Sequence, residues 1–385
     1  MRIAVFTDNY FPETNGLVTS MLNQIRFLGK KGHEYLVFSP GYSTRIRLEH
    51  ARQYGFFSIP IPSYKISRVG FPDRGFIRKV IHQYRPDVIH VHTPFLIGRA
   101  GIKAGKEMGI PTVGTYHTKL DNFVEYVSVI EQLGLGRFFR PRHRLKKKMS
   151  WLLTNAFYRN CDVITTPSRT MKRELVANGS KNSILVVSNG VDLKTFTPKK
   201  DYSIKKRILH VGRVSYEKRI DVILRAMQHI REDIHLTIAG TGPALGSLKE
   251  LRDRLGLKNR VRFTGNVRHK ELCRLHHTHD IFVTASDMET QGLAALEAAA
   301  SGMPIICVDK MAVQEIVDGN GYVVRAGDYM TIAEHANRII CDQMTLEKMG
   351  RKSRSIAEGH DLKKVLSGLE SVYKAIIAKK NQSIK

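Results

Sequence analysis

The 385-residue chain has no run of about 18 apolar residues, so no membrane-spanning helix is expected. Its four cysteines lie far apart and form no CxxC pair, which disfavours a disulfide scaffold and favours a reducing, cytoplasmic compartment. The N-terminus enters an apolar stretch without the features of a signal peptide. The loop after that stretch lacks the GxGxxG fingerprint, which disfavours a nicotinamide-dependent oxidoreductase.

Acidic residues are scarce, and their scarcity is uneven along the chain. There are 35 Asp and Glu against 62 Lys and Arg, a net charge of +27. Residues 1–200 hold 32 basic and 13 acidic residues, whereas residues 201–385 hold 30 and 22. The basic first half implies an anionic partner, which could be nucleic acid, a membrane surface or a phosphorylated substrate.

Short apolar runs alternate with amphipathic stretches in both halves of the chain. In the first half the predicted strands cover residues 2–7, 34–39, 87–92, 112–117, 162–167 and 183–188. In the second half they cover residues 207–212, 235–239, 262–264, 281–284, 304–308 and 322–324. Continuously apolar strands alternating with helices predict an α/β fold with two doubly wound parallel sheets. A polar stretch at 196–206 is the expected join, and residues 362–379 are predicted to form a further helix.

Residues 286–304 form a polar loop that leads into a helix rich in small residues. Gly292 would let the backbone approach a ligand, and the amide groups of the first helical turn would face an anion. Glu297 lies inside an alanine-rich helix, where a carboxylate is costly unless it is hydrogen-bonded, and sugar hydroxyls are suitable partners. The alternative is that Glu289 caps the helix and Glu297 is solvated.

A second loop, residues 212–218, places Arg213 and Lys218 just beyond a strand, where two cations could hold a diphosphate. They could equally be ordinary surface cations of a basic protein. Two further strand-to-helix loops, at 240–243 and 13–17, contain glycine and are weaker signals.

Taken together, these segments resemble glycosyltransferase family 4, whose members are retaining enzymes of the GT-B fold. The resemblance rests on the Glu289–x7–Glu297 segment with its Gly302-Met303-Pro304 turn, the Gly212-Arg213–x4–Lys218 loop and residues 188–192. It implies two Rossmann-like domains facing a cleft, at 1–197 and 198–361, with a C-terminal helix (about 362–385) packing back on the first. It also implies that no metal or cofactor is needed beyond a nucleotide-sugar co-substrate.

The resemblance implies a role for each matching position. His117, Glu289, Arg213 and Lys218 would act in catalysis, with His117 and Glu289 near the transferred sugar and the two cations on the diphosphate. The donor-binding positions would be Gly16, Arg213, Lys218, Val267, Gln291, Gly292, Leu293 and Glu297.

Residues 137–148 hold seven Lys and Arg and no acidic residue, with aromatic and aliphatic side chains interleaved. This pattern favours a peripheral membrane surface, and the alternative is a solvated helix whose apolar side chains join the core. The expected contacts are Arg137, Phe138, Phe139, Arg140, Lys146, Lys147, Lys148 and Trp151.

Within the family, residues 289–293 and 117–118 are similar to those of bacterial diacylglycerol glucosyltransferases. The resemblance implies transfer of a hexose, with UDP-glucose as the leading donor, to 1,2-diacylglycerol at the cytoplasmic face of the membrane. GDP-mannose as donor, or a phosphatidylinositol-type or soluble acceptor, is the alternative within the family.

A basic nucleic-acid-binding protein is the alternative from another class, and the sequence shows no zinc-finger, helix-turn-helix or RNA-binding signature. Cys273, His276, His277, His279 and Asp280 are close together in sequence. We interpret them as a surface helix before a buried strand and predict no metal site.

Overall fold

The computed structural model describes residues 1–13, 15–44, 46–61, 64–117 and 143–382. The chain divides into two compact units: unit 1 comprises Met1–Val187 and Leu366–Lys385, and unit 2 comprises Ser188–Val365. The predicted boundary was at 197/198. The structural boundary lies earlier because residues 188–192 are bonded within unit 2, where the amide of Val191 donates to the carbonyl oxygen of His360 at 2.9 Å.

Unit 1 is built on a seven-stranded parallel sheet in the order β3-β2-β1-β6-β7-β8-β9, with a separate antiparallel hairpin β4–β5. Its strands are β1 Arg2–Phe6, β2 Glu34–Pro40, β3 Ala51–Phe56, β4 Ser58–Ile61, β5 Tyr64–Gly70, β6 Val88–Val91, β7 Thr112–Thr115, β8 Val163–Thr166 and β9 Ile184–Val186. Its helices are α1 Gly16–Gly29, α2 Arg74–Tyr84, α3 Leu96–Met108, α4 His143–Tyr158 and α5 Arg169–Ala177. The central strands are buried on both faces, as their continuous apolar sequences predict.

Unit 2 is built on a six-stranded parallel sheet in the order β12-β11-β10-β13-β14-β15. Its strands are β10 Arg207–Val211, β11 His235–Ala239, β12 Val261–Gly265, β13 Ile281–Val283, β14 Ile305–Val308 and β15 Gly321–Val324. Its helices are α6 Ile220–Ala226, α7 Leu245–Arg254, α8 His269–Thr278, α9 Leu293–Ala300, α10 Tyr329–Ile340 and α11 Gln343–Glu358. Most of α9 is buried, and its small side chains allow it to pack closely.

The C-terminal helix α12 spans Leu362–Gln382, and its residues from 366 onward belong to unit 1. Tyr373 anchors the helix there, because its side chain is fully buried and its hydroxyl lies 2.6 Å from Nδ1 of His90 on β6. The same hydroxyl accepts a hydrogen bond from the side-chain amide of Gln24 on α1. A polar contact inside the core therefore fixes the end of the chain to the first sheet.

The predicted fold class is confirmed: each half of the chain forms its own parallel α/β sheet. The strand β3 and the hairpin β4–β5 were not predicted. Strand β3 is an edge strand with several polar or partly exposed positions, and the hairpin contains Pro60, so neither matches the continuous apolar pattern.

The stretch 269–280 agrees in part with the predicted surface helix before a buried strand: α8 exposes His277, and β13 is buried. Three of its side chains are more buried than predicted. His276, His279 and Asp280 are buried, and the Asp280 carboxylate accepts from the amides of Lys205 and Arg207 at 2.9 and 2.8 Å. Among the described residues, no group of three or more His, Cys, Asp or Glu side chains is arranged to hold a metal ion. No helix within the described ranges is long and apolar enough to span a bilayer.

Two helical glycines of unit 1 give opposite expectations for replacement by alanine. A Cβ atom at Gly98 would lie 1.8 Å from the carbonyl oxygen of Thr93, whereas one at Gly368 would meet no atom within 4 Å. We expect Gly98→Ala to lower the free energy of unfolding by about 1–3 kcal/mol and Gly368→Ala to raise it by about 0.5–1 kcal/mol. Urea denaturation followed by circular dichroism tests this, and a shift of both variants in the same direction would contradict it.

Candidate active site

The loops after β10 and β13 meet at the carboxyl edge of the second sheet, where ligands bind in folds of this class. The two loops are joined by an ion pair: Nζ of Lys218 lies 2.5 Å from Oε1 of Glu289, although the residues are 71 positions apart. Each side chain keeps about a fifth of its surface exposed, at 19% and 20%. The structure thus brings together two of the positions that the sequence singled out, and leaves both accessible to a ligand.

Arg213 is held on the first of these loops by a neighbouring acid. A guanidinium nitrogen of Arg213 lies 2.5 Å from Oε1 of Glu217, and the Ser215 hydroxyl donates to the same oxygen at 2.6 Å. Burial acts to raise the pKa of Glu217, but the Arg213 cation and the Ser215 hydrogen bond outweigh it and hold that pKa below its ordinary value. Sequence reasoning missed Glu217, whose signal is its position four residues after the arginine.

The loop at 212–214 is fixed by close backbone packing against the turn at 240–243. The amide of Gly212 donates to the carbonyl oxygen of Ala239, and the amide of Val214 donates to that of Thr241, both at 3.0 Å. A Cβ atom at Gly240 would lie 1.9 Å from the Gly212 carbonyl oxygen, and one at Gly242 would lie 2.3 Å from that of Val214. These glycines are therefore needed for the close approach that positions the Arg213 loop.

Helix α9 begins directly beside this loop pair. Gly292 caps it in the left-handed conformation, with φ of +84°, and has no side chain that could accept from the amides of the first turn. A Cβ atom at Gly292 would also lie 3.1 Å from Cγ2 of Val313. The helix start therefore presents backbone amides and the positive end of the helix dipole, which suits a phosphate or a sugar oxygen.

Glu297 lies one turn into α9, and burial raises the pKa of its carboxyl from the ordinary 4.5 to about 8. The side chain is not fully shielded, because Glu297 is partly exposed whereas its helix neighbours Leu296 and Ala298 are buried. A ligand hydroxyl group can therefore reach this carboxyl group, as the sequence predicted.

The Gln291 side chain is buried and bonded within unit 2, which leaves only its backbone for the predicted ligand contact. Its Oε1 accepts from the Asn189 amide at 2.8 Å, and its Nε2 donates to the Ser188 hydroxyl at 2.5 Å. The Ser188 hydroxyl also lies 2.9 Å from Nδ1 of His360. The start of α9 is thus tied to both segments at which the chain enters and leaves unit 2.

Three buried histidines lie in or just beyond two neighbouring strands of unit 1. Nε2 of His117, beyond β7, lies 3.3 Å from Nδ1 of His92, beyond β6, and the rings of His90 and His92 have centroids 4.0 Å apart. Burial lowers the pKa of His90 to about 3 and that of His117 to about 4, and it also lowers the pKa of His92. The rings are therefore neutral near pH 7. Sequence reasoning predicted His117 alone and missed the His-x-His pair beside it.

Two other predicted donor positions have simple surroundings. Gly16 is the first residue of α1, and a Cβ atom there would meet no atom of the described residues within 4 Å. The Asn15 side chain caps this helix by accepting from the Val18 amide at 2.9 Å. Val267 is partly buried in the loop after β12.

Sequence reasoning also missed a buried histidine, His210 on β10. Its Nδ1 donates to the Val283 carbonyl oxygen at 2.9 Å, which leaves its Nε2 without a partner in the described chain.

The predicted membrane contacts have different outcomes in the structure. Arg137, Phe138, Phe139 and Arg140 lie outside the described residues, and Lys146 and Lys147 lie on α4. Lys148 is exposed. Trp151 is only 5% exposed and packs against Tyr116, so it is a core side chain and its assignment to the surface was wrong. The apolar residues that α4 does expose are Met149, Leu152 and Leu153, which share one helical face.

Comparison with known proteins accounts for this arrangement. The family model described as Glycosyltransferase Family 4 matches residues 14–195, and the model described as Glycosyl transferases group 1 matches residues 191–356. An alpha-monoglucosyldiacylglycerol synthase of Streptococcus pneumoniae is 32% identical over 325 residues, covering 80% of this chain and 70% of that protein. The chain belongs to glycosyltransferase family 4.

Other members of the family, and solved structures, extend the comparison. A GDP-mannose-dependent alpha-mannosyltransferase of Corynebacterium glutamicum is 29% identical over 322 residues, covering 80% of this chain and 72% of that protein. The solved structure of Anabaena HepE in complex with UDP-glucose has a TM-score of 0.74 at 18% identity and covers 97% of this chain and 100% of that one. This likeness confirms the GT-B type of fold.

The raised pKa of Glu297 predicts a pH-dependent stability. Because the pKa is higher in the folded chain than its ordinary value, ionisation of Glu297 destabilises the fold as the pH rises through about 8. Glu297→Gln cannot ionise, so its melting temperature should exceed that of the wild type at about pH 8.5, and the difference should shrink towards about pH 5. Differential scanning calorimetry without ligand measures this. The exposed Glu250→Gln on α7 is the control, and a difference that is constant with pH would contradict the prediction.

Proposed function

We propose that this glycosyltransferase transfers glucose from UDP-glucose to 1,2-diacylglycerol at a membrane surface. The main support for the proposal is the carboxyl edge of the sheet in unit 2. There Lys218 and Glu289 form an ion pair next to the start of α9, whose cap Gly292 has no side chain. The 32% identity to an alpha-monoglucosyldiacylglycerol synthase supports the choice of sugar and acceptor.

In this proposal, the amides at the start of α9 and the cations of Arg213 and Lys218 bind the diphosphate of the donor. The carboxyl group of Glu297 accepts hydrogen bonds from the ribose hydroxyls. Glu289, whose carboxylate lies against Lys218, is placed to contact the transferred sugar. The buried side chain of Gln291 fixes this loop through its hydrogen bonds with Asn189 and Ser188.

For the chemical step we propose a front-face displacement that retains the anomeric configuration and requires no metal. The bond from the anomeric carbon to the diphosphate oxygen breaks as the acceptor hydroxyl attacks the same face. The acceptor proton passes to the leaving phosphate. Arg213 and Lys218 stabilise the negative charge that develops on the diphosphate, which is the role that preorganised cations play in transferase sites.

A membrane location is supported by helix α4 of unit 1. Met149, Leu152 and Leu153 are 52%, 64% and 44% exposed, beside the exposed Lys148. Exposed apolar side chains next to cations suit the boundary between acyl chains and anionic headgroups. We therefore propose a peripheral enzyme on the cytoplasmic face of the membrane.

Mannosyl transfer from GDP-mannose is the second candidate, and the relative in Corynebacterium glutamicum favours it. A panel of UDP-glucose and GDP-mannose, each with and without diacylglycerol vesicles, separates the two. The proposal requires glucolipid to form only from UDP-glucose and only with vesicles. Mannolipid formation from GDP-mannose, or transfer to a soluble acceptor alone, would overturn it.

Lys218→Ala should lower kcat by about 100-fold or more, because it removes a cation that balances charge on the leaving diphosphate. The exposed Lys258→Ala in the same unit is the matched control and should keep the wild-type rate. Steady-state transfer of radiolabelled glucose to diacylglycerol measures both. A rate for Lys218→Ala close to that of the wild type would remove Lys218 from the mechanism.

His117→Ala should lower kcat/KM for transfer by about tenfold or more, through loss of a hydrogen bond to the sugar. The affinity for UDP, measured by calorimetry, should stay unchanged, because the proposed nucleotide contacts lie in unit 2. His82→Ala, at an exposed position of α2, is the control. An equal loss of UDP affinity would place His117 in nucleotide binding instead.

A further inference from the structure

The hairpin β4–β5 has its polar and apolar faces reversed relative to an ordinary soluble hairpin. Phe57 and Phe71 face each other across its base with ring centroids 5.9 Å apart, and Ile59 pairs with Val69. These four apolar side chains are 74%, 46%, 50% and 40% exposed. The intervening pair of Ser58 and Gly70 is buried. A soluble hairpin would place its apolar face against the core.

Hydrogen bonds hold the inward face of the hairpin against the rest of unit 1. The apolar face is therefore the one that the hairpin turns outward. The Ser58 hydroxyl donates to the carbonyl oxygen of Gly41 at 2.7 Å, and Nε of Arg68 donates to that hydroxyl at 2.7 Å. A second nitrogen of Arg68 donates to the Ser58 carbonyl oxygen at 2.6 Å. A Cβ atom at Gly70 would lie 2.7 Å from Cδ1 of Ile97, so this strand packs tightly on α3.

The chain segment that carries the hairpin is strongly basic. Residues 52–85 hold seven Lys and Arg and one acidic residue, Asp73, which caps α2 by accepting from the Phe76 amide at 3.0 Å. Arg74 and Lys79 of α2 are exposed, and so is Arg78, which pairs with Glu107 at 3.1 Å. A partner for this surface must therefore bury aromatic side chains and also carry negative charge, which are properties of an anionic lipid bilayer.

Helix α3 contacts both the hairpin and α4, the latter at the buried Phe157. Its start packs on the hairpin through Ile97, and a Cβ atom at Gly98 would come within 3.4 Å of Phe157 on α4. Leu96, the first residue of α3, is 43% exposed. The hairpin and α4 thus flank the same helix start, and exposed apolar side chains occur on all three elements.

We propose that the outward face of hairpin β4–β5 is a contact surface for an anionic lipid bilayer, with the Phe57–Phe71 pair entering the boundary between headgroups and acyl chains. The surface rests on the proposed lipid acceptor, since it would hold unit 1 at the membrane from which the acceptor is drawn. It is separate from the predicted contact segment at 137–151.

Sedimentation with vesicles of phosphatidylcholine and phosphatidylglycerol tests the surface. Phe57→Ser combined with Phe71→Ser should weaken vesicle binding by at least about tenfold, because two aromatic side chains no longer leave water. Met344→Ser is the matched control, since Met344 is 83% exposed on α11 of unit 2, and it should bind as the wild type does. Hydrolysis of UDP-glucose in the absence of vesicles should be unchanged in both.

Phe57→Trp provides a test that does not depend on disrupting the hairpin. The introduced indole should shift its emission to the blue with anionic vesicles and be quenched by brominated acyl chains. The native Trp151 is buried and supplies a constant background.

Vesicle binding by the double serine variant equal to that of the wild type, or no quenching of the Phe57→Trp variant by brominated lipid, would overturn the proposal. So would a change from dimer to monomer in the double variant with vesicle binding intact, because the face would then join two copies of the chain. Failure of the wild type to bind vesicles would also overturn it, and retained hydrolysis of UDP-glucose would leave the glycosyltransferase assignment standing. Absence of UDP-glucose hydrolysis by the wild type, with vesicle binding retained, would contradict the proposed function and not the proposed surface.

Discussion

Parallel hydrogen bonding makes every strand of a sheet end at the same edge, and the functional geometry of both units depends on this constraint. In unit 2 it places the loops after β10 and β13 side by side, so that Lys218 and Glu289 form an ion pair across 71 residues of chain. In unit 1 it places His92 and His117, which follow neighbouring strands, within 3.3 Å of each other. Neither pair is close in sequence, and neither would meet in an antiparallel sheet of the same strands.

The polar groups at these edges are held by hydrogen-bonded partners within their own unit. Glu217 holds Arg213, Ser188 holds Gln291, and the hydroxyl of Tyr373 accepts from Gln24 and lies 2.6 Å from Nδ1 of His90. Nε2 of His90 lies 2.6 Å from the hydroxyl of Thr115, on the strand that leads to His117. Such bonds orient side chains before any substrate arrives, which reduces the entropy lost on binding.

The sequence predicted the two sheets, most of their strands and the loops that carry Lys218 and Glu289, because buried parallel strands and glycine-bearing helix starts leave local patterns. It did not predict β3 or the hairpin β4–β5, since partly exposed edge strands and proline-bearing strands lack those patterns. The error at Trp151 has a different cause. Cations and aromatic residues were seen to alternate, but the pattern could not show which helical face would be buried, and α4 buries Trp151 while exposing Leu152. His90 and His92 were missed because two histidines on a strand give no signal until the fold places His117 beside them.

The burial of Trp151 has an optical consequence. It is the only tryptophan of the chain, it lies in unit 1, and it packs against Tyr116, the residue before His117. Tryptophan emission therefore reports on one half of the molecule, at the base of the histidine cluster, and is silent about the half that carries Lys218 and Glu297. Melting followed by fluorescence would report on unit 1, whereas melting followed by heat absorption would report on both units, and any gap between the two transitions would measure how independently the units unfold.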